Sequence, residues 1–203
     1  MKYFLAIIFI LIPLSSNATG LFIGADLLQA NARHEANNTG SSGPKNNDVA
    51  ESDNVNYGLN AGVRFDLLTL LASVELFYDN LNTSSRNFNQ IDGTINNQDR
   101  IELKNRYGAK INAGFAILPR ITPFITYGLT KVSYSSNVLS SNNSLSKTEL
   151  TPLYGIGLLV DLPLGITAKA SYDYQKIDMK YAGGGAKINT HLGVAKLGLV
   201  YNF

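Results

Sequence analysis

Eight stretches of this chain alternate residue by residue between two faces, and the last keeps an apolar face up to the final residue. In the segment from His191 to Phe203, Ala195, Leu197, Leu199, Tyr201 and Phe203 fall on one face. Val194, Lys196, Gly198, Val200 and Asn202 fall on the other. Side chains of a strand point alternately to opposite faces, so this strand offers one wholly apolar surface. Water against that surface would leave it uncovered. Lipid outside and protein inside match it.

The other segments repeat the pattern. The first, Gly20 to Ala32, sets Leu21, Ile23, Ala25 and Leu27 against Phe22, Gly24 and Asp26. The second sets Val55, Tyr57, Leu59, Ala61, Val63 and Phe65 against Asn56, Gly58, Asn60, Gly62 and Arg64. The third sets Leu70, Ala72, Val74, Leu76 and Tyr78 against Ser73, Glu75, Phe77 and Asp79. In the fourth, Ile101, Leu103, Tyr107, Ala109, Ile111, Ala113 and Phe115 share the apolar face, opposite Glu102, Lys104, Arg106, Gly108, Lys110, Asn112 and Gly114. The fifth (Thr122 to Tyr134), sixth (Thr148 to Val160) and seventh (from Ile166 to Gln175) follow suit.

Short turns at 66–69, 118–121 and 161–165 alternate with long connections at 33–54, 80–99, 135–147 and 176–189. The segments suffice for a tilted crossing, which needs ~9–11 residues. The expected fold is all-β: a closed antiparallel eight-stranded transmembrane β-barrel of outer-membrane type over residues 19–203. Pairing of the first and eighth strands would remove every edge, as hydrocarbon requires. Tyr78, Tyr107, Tyr154, Tyr174 and Tyr201 sit at strand ends, where an interfacial aromatic girdle forms.

The N-terminal residues point to export. Met1-Lys2-Tyr3 is a short basic start, Phe4 to Leu14 is an apolar run interrupted at Pro13, and Ser16-Asn17-Ala18 supplies small residues for cleavage. This reads as a signal peptide over residues 1–18, too short to span as a helix. The absence of cysteine excludes a disulfide framework and thiolate metal sites. Without Lys2, sixteen basic residues face fifteen acidic ones. That balance gives no footing for nucleic acid.

The inward faces carry Asp26, Arg64, Glu75, Asp79, Glu102, Lys104, Arg106, Lys110, Lys169, Asp173 and Lys196. An eight-stranded barrel is just wide enough for side chains to fill it. Charges of both signs in so narrow a space are expected to pair into a polar core, because unpaired buried charge is costly. The alternative is a passive, porin-like small-solute channel, which would more naturally carry an excess of one sign.

No constellation for catalysis, a metal or a cofactor emerges. His191-Leu192-Gly193 lacks the serine that the His-x-Ser pair of lipid A deacylases would place two residues on. His34 has no Asp-Ser partner of the palmitoyltransferase kind, and both histidines read as polar residues of the rim. Asp48, Glu51 and Asp53 do not follow a calcium-loop spacing. The glycine run at 183–185 lacks the phosphate-loop spacing. The long connections, rich in Asn, Ser and Gly, carry net charges of −2, −1, +1 and +2 in chain order. They offer no dominant basic surface.

Lys196-x-Gly198-x-x-Tyr201-x-Phe203 resembles the C-terminal assembly signal of bacterial outer-membrane barrels. Together with Phe22-Ile23-Gly24-Ala25, Ile121-Thr122-Pro123-Phe124 and the leader, it makes residues 20–203 similar to the small outer-membrane barrels that include opacity-type adhesins and OmpX-like proteins. The resemblance implies a multi-pass bacterial outer-membrane protein, monomeric and non-enzymatic, with extracellular loops and periplasmic termini. It implies contact with outer-membrane lipid and lipopolysaccharide, insertion by the barrel-assembly machinery, and adhesion, host recognition or envelope integrity through the long loops.

Overall fold

The computed structural model of the protein describes residues 19–37, 47–51, 55–86, 100–138, 143–180 and 187–203. The proposed signal peptide lies outside them. Among the described residues are nine strands: β1 (Thr19–Asn37), β2 (Asn47–Glu51), β3 (Asn56–Leu67), β4 (Leu70–Arg86), β5 (Arg100–Phe115), β6 (Ile121–Val138), β7 (Asn143–Asp161), β8 (Ile166–Lys180) and β9 (Lys187–Asn202). Consecutive members of the series β1, β3, β4 to β9 pair antiparallel, and β9 returns to β1 from Asn202 opposite Phe22 to Lys187 opposite Asn37. Eight strands therefore close a barrel. The short β2 pairs with Asn31–Glu35 of β1, inside the span 33–54 expected as a connection.

The register sets the shape. Neighbours followed once round the wall run Phe22, Gly62, Glu75, Lys110, Gly128, Leu153, Gln175 and Leu192, and arrive back on β1 at Ala32, ten residues further along. With ordinary strand spacing and rise, that stagger tilts eight strands by about 40°.

The outer wall from Leu21, Phe65, Leu70 and Phe203 up to Leu27, Tyr57, Tyr78 and Ala195 carries no charged side chain. Leu21, Leu59, Leu76, Ile125, Ile156, Leu197 and Leu199 are each more than half exposed there. Tyr57, Tyr78, Tyr107, Tyr127, Tyr154, Tyr172 and Tyr174 ring the end of this band nearest the long connections. Tyr201 and Phe203 mark the other end, their rings edge to face at 5.0 Å. A band of bare apolar side chains bounded by aromatics is the surface that a lipid bilayer selects.

Every long connection is shorter than the sequence pattern suggests. β1 continues past Leu27 to Asn37, β4 runs to Arg86, β6 to Val138 and β8 to Lys180. Beyond the girdle the wall splits in two. The β7–β8 ladder ends at Leu153 opposite Gln175, beside Pro152, which has no N–H to give. On the far side β3 only begins at Asn56, while β4 continues past that level. The extended parts form two sheets, β2-β1-β9-β8 and β4-β5-β6-β7, facing each other as a small sandwich above the membrane band.

One irregularity reorders the interior. Where β4 and β5 leave the band, the pairing steps from Asn80–Asn105 to Thr83–Leu103. Between β5 and β6 it steps from Asn105–Ser133 to Leu103–Tyr134. The bulge places Asn82 at a φ of 39°, a left-handed conformation that Asn tolerates. It also turns Lys104 outward to solvent and Leu103 inward, where it is 1% exposed. The expectation of an inward Lys104 and an outward Leu103 is therefore corrected: strict alternation does not survive an extra residue.

Candidate functional site: a sealed lumen under a two-sheet crown

The lumen is filled in layers. Its centre is a charge cluster of four acids and four bases, Asp26, Glu75, Asp79 and Asp173 against Arg106, Lys110, Lys169 and Lys196, all within 5% exposure. Arg106 donates from Nε to Asp79 at 2.7 Å, from Nη2 to Asp173 at 2.9 Å and from Nη1 to Gln175 at 3.1 Å. Lys196 reaches both Asp79 oxygens, at 2.7 and 2.8 Å. Lys110 pairs with Glu75 at 3.1 Å, and Lys169 bridges Asp26 at 3.2 Å and Glu75 at 3.3 Å. Phe77 stands in the middle, with the charged ends of Lys196, Lys110 and Arg106 at 5.0, 5.1 and 5.7 Å from its ring centre. Equal numbers of opposite charges in contact are what makes ions tolerable in so dry a site.

Below the cluster an apolar layer of Phe22, Leu71, Phe124 and Val200 closes the bore. Phe22 lies over Gly62 and Phe124 over Gly157; a Cβ at either glycine would run into the ring. Alanine there would displace the plug. At the mouth beside the short turns, Arg64 makes a two-pronged pair with Asp161 at 2.9 and 3.0 Å and a further bond to Asp66 at 3.0 Å. Thr167 donates to Asp161 at 2.7 Å. Between this latch and Glu75 remains a cavity of about 30 Å³, space for about one water.

Above the cluster lies a second apolar layer. The β2-β1-β9-β8 sheet contributes Leu28, Ala30, Ala32, Ile177, Met179, Leu192 and Val194; the opposing sheet contributes Leu81, Leu103, Val132 and Tyr134. This is the core of the sandwich, and no spacing in the sequence had drawn attention to it. Glu102 is half-buried at this level and accepts from Ser135 at 3.3 Å.

The histidines part company. His34, expected at the exposed rim, is 2% exposed and points inward, its Nδ1 2.7 Å from the Thr190 hydroxyl, which in turn faces Met179. Burial pulls its imidazole down to about 4. His191 faces outward and meets the Tyr174 hydroxyl through Nδ1 at 2.6 Å, the two rings stacked at 6.1 Å. Of the proposed assembly residues, Lys196 and Gly198 face the lumen, Gly198 packed on the Asp26 carboxylate, while Tyr201 and Phe203 face lipid.

A closed, lipid-girdled barrel with a plugged lumen defines a class of bacterial outer-membrane proteins, and the comparisons agree. The chain belongs to the outer membrane protein beta-barrel domain family, whose pattern matches residues 5–203. Among solved structures it is similar to the outer membrane protein AlkL in lipid bilayers, with 13% identity, 94% of this chain and 93% of that one covered, and a TM-score of 0.57. It is similar to Neisserial surface protein A, with 15% identity, coverage of 90% and 97%, and a TM-score of 0.51. It also resembles Ail, the attachment invasion locus protein of Yersinia pestis, seen with the heparin analogue sucrose octasulfate, with 17% identity, coverage of 91% and 99%, and a TM-score of 0.50. No curated protein matches the sequence.

Proposed function

We propose that this protein is a non-enzymatic membrane anchor presenting a recognition surface, with the crown and long connections outside the cell and the short turns and termini in the periplasm. The observation that carries this reading is the contrast between a bore closed at every level and a wall that continues, as two open-sided sheets, past the girdle. Above the band β7 pairs only with β6, and β8 only with β9, among the described residues. Sheet edges of this kind offer backbone N–H and C=O groups to an incoming strand, which suits recognition of a host or neighbouring-cell protein. Surface roles are also what the names of Ail and Neisserial surface protein A declare for those proteins.

Planar-bilayer recording combined with cell binding tests the reading. The purified barrel is expected to be silent, and cell binding is expected to fall when the connection at 38–46 is shortened or Thr148→Pro blocks the β7 edge. Steady unitary conductance altered by Glu75→Gln or Arg106→Gln would replace it with the channel reading.

Assembly is the second part of the proposal. The Phe203 N–H is bonded to the Leu21 carbonyl at 2.9 Å, and its ring lies on the lipid side beside Tyr201. The same two rings, exposed before the barrel closes, suit the insertion machinery. Phe203→Asp should leave most of the protein uninserted; wild-type amounts of heat-modifiable protein in the outer membrane would refute it.

A further inference from the structure

We propose that the seam between β7 and β8 in the crown is a slot for one extended peptide segment, bonded to both sheets at once, with an apolar, a basic and an acidic residue in turn along its inner face. This step rests on the recognition reading above and gives the form of the partner. The wall opens twice beyond the girdle. On one side β2 pairs with β1 and comes within 8 Å of β4, Cα to Cα, so a strand of the chain itself closes the opening. On the other side the last β7–β8 pair is Leu153–Gln175, and no described strand lies between β7 and β8 beyond it. Facing sheets pack about 10 Å apart and paired strands about 4.8 Å, so one strand has room to bond to both edges. It would run antiparallel to β7, as β8 does below, and parallel to β8.

The floor of this slot is unfinished. Thr151 Oγ1 and Gln175 Nε2 are buried there without a hydrogen-bond partner among the described residues. Thr130 joins the two: it is the register neighbour of Thr151 and donates to Gln175 Oε1 at 3.3 Å. A buried donor left unmade is costly, and the leading carbonyl of an entering segment would satisfy it. The walls differ in chemistry. Register with Val132 and Tyr134 puts Glu149 and Lys147 on the inner face of β7, neither of them in an ion pair among the described residues. On β8 the inner face is Ile177 and Met179, both buried. Successive inner residues of the segment would therefore lie level with Thr151 and Ile177, then Glu149 and Met179, then Lys147. An apolar residue, a basic one and an acidic one match that order, because cross-strand neighbours of opposite charge attract.

The test uses the detergent-folded protein and two acetylated, amidated peptides of equal composition, Thr-Val-Thr-Lys-Thr-Glu-Thr and Thr-Val-Thr-Glu-Thr-Lys-Thr. The first should slow amide hydrogen exchange at both 147–151 and 176–180 and bind about tenfold tighter than the second. Glu149→Lys combined with Lys147→Glu should reverse that preference. N-methylation at alternate residues, of either parity, should abolish binding, because it removes the donors toward one sheet at a time. Heat-modifiable migration checks that the double variant is folded. Slowed exchange on one sheet alone, or on neither, overturns the slot, and equal affinity for the two peptides overturns its inner face. Cell binding is measured separately. If it depends on the crown while the peptide protects neither edge, the recognition reading stands and the slot falls. If the peptide protects both edges and cells are not bound, the slot stands and the recognition reading falls.

Discussion

The centre of the lumen and the layer just above it are built by the same strands and held in opposite ways. In the centre, Arg106 and Lys196 converge on Asp79, and every cation has a carboxylate within contact distance. One layer up, Leu28, Leu103, Val132, Ile177 and Leu192 pack together in one apolar cluster. The centre depends on every member being present, because a deleted partner leaves a buried charge. The upper layer depends on volume, and its losses are local. Paired charge and packed hydrocarbon thus lie one above the other in the bore, over the lower apolar layer of Phe22, Leu71, Phe124 and Val200.

The sharpest way to break this contrast is to remove Asp79. Asp79→Ala strands Arg106 and Lys196 beside Phe77 with half their compensation gone, at a cost of about 3–5 kcal/mol. Urea unfolding in lipid vesicles measures it. A loss below about 1 kcal/mol would mean that water reaches the cluster, as at surface pairs. Leu192→Ala comes next, with an expected loss of about 2–4 kcal/mol from the cavity it leaves in the upper layer. It should remain silent in bilayer recording, since the charge layer below is intact. Conductance from Leu192→Ala alone would show that the upper layer is the only seal.

His34 borders the upper layer and gives it a pH dependence that the centre lacks a histidine to share. Its folded form resists protonation, with a value of about 4 against 6.5 for an unburied imidazole. A depressed histidine stays neutral when folded while the opened state takes up a proton. Stability is therefore intact above pH 6.5, falls as the pH drops below it, and levels off once the pH is below about 4. The loss is about 3 kcal/mol across that window, with His34→Gln removing the slope. Hydrogen exchange at Thr190 and Met179 would locate it. A slope that survives His34→Gln would assign it to the carboxylates instead.

These two layers also differ in how readable they were. Inside the bilayer the outward face is apolar throughout, so Tyr57 to Phe65 or Ala195 to Phe203 announce their alternation plainly. The inward charges then follow by parity. Beyond the girdle the sense of the pattern inverts: Lys176 and Asp178 face water while Ile177 and Met179 face inward. The strand continues, but its average hydropathy drops to that of a loop, and the connection at 176–189 looked polar. The same inversion hid Leu81 behind Asn80 and Asn82. His34 was misplaced for a related reason, since a lone imidazole among polar residues carries no sign of which side it faces. β2 and the two-sheet crown depend on Pro152 and on pairings distant in sequence, which a reading of local periodicity does not reach.

The smallest expected effect is the most direct test of that boundary. Lys104 and Arg106 lie two residues apart on β5, and unbroken alternation would put both in the lumen. The bulge between Leu103 and Asn105 separates them, leaving Lys104 exposed and Arg106 at 0% exposure with three acceptors. Lys104→Gln should therefore change stability by no more than about 0.5 kcal/mol. Arg106→Gln removes the guanidinium that joins Asp79, Asp173 and Gln175 and should cost about as much as Asp79→Ala, about 3–5 kcal/mol. If Lys104→Gln proves as damaging as Arg106→Gln in the same urea titration, the bulge is misplaced and the charge cluster extends upward. If the two diverge as expected, the switch from charge to hydrocarbon in the bore is set by the extra residues that β4 and β5 carry at the bulge.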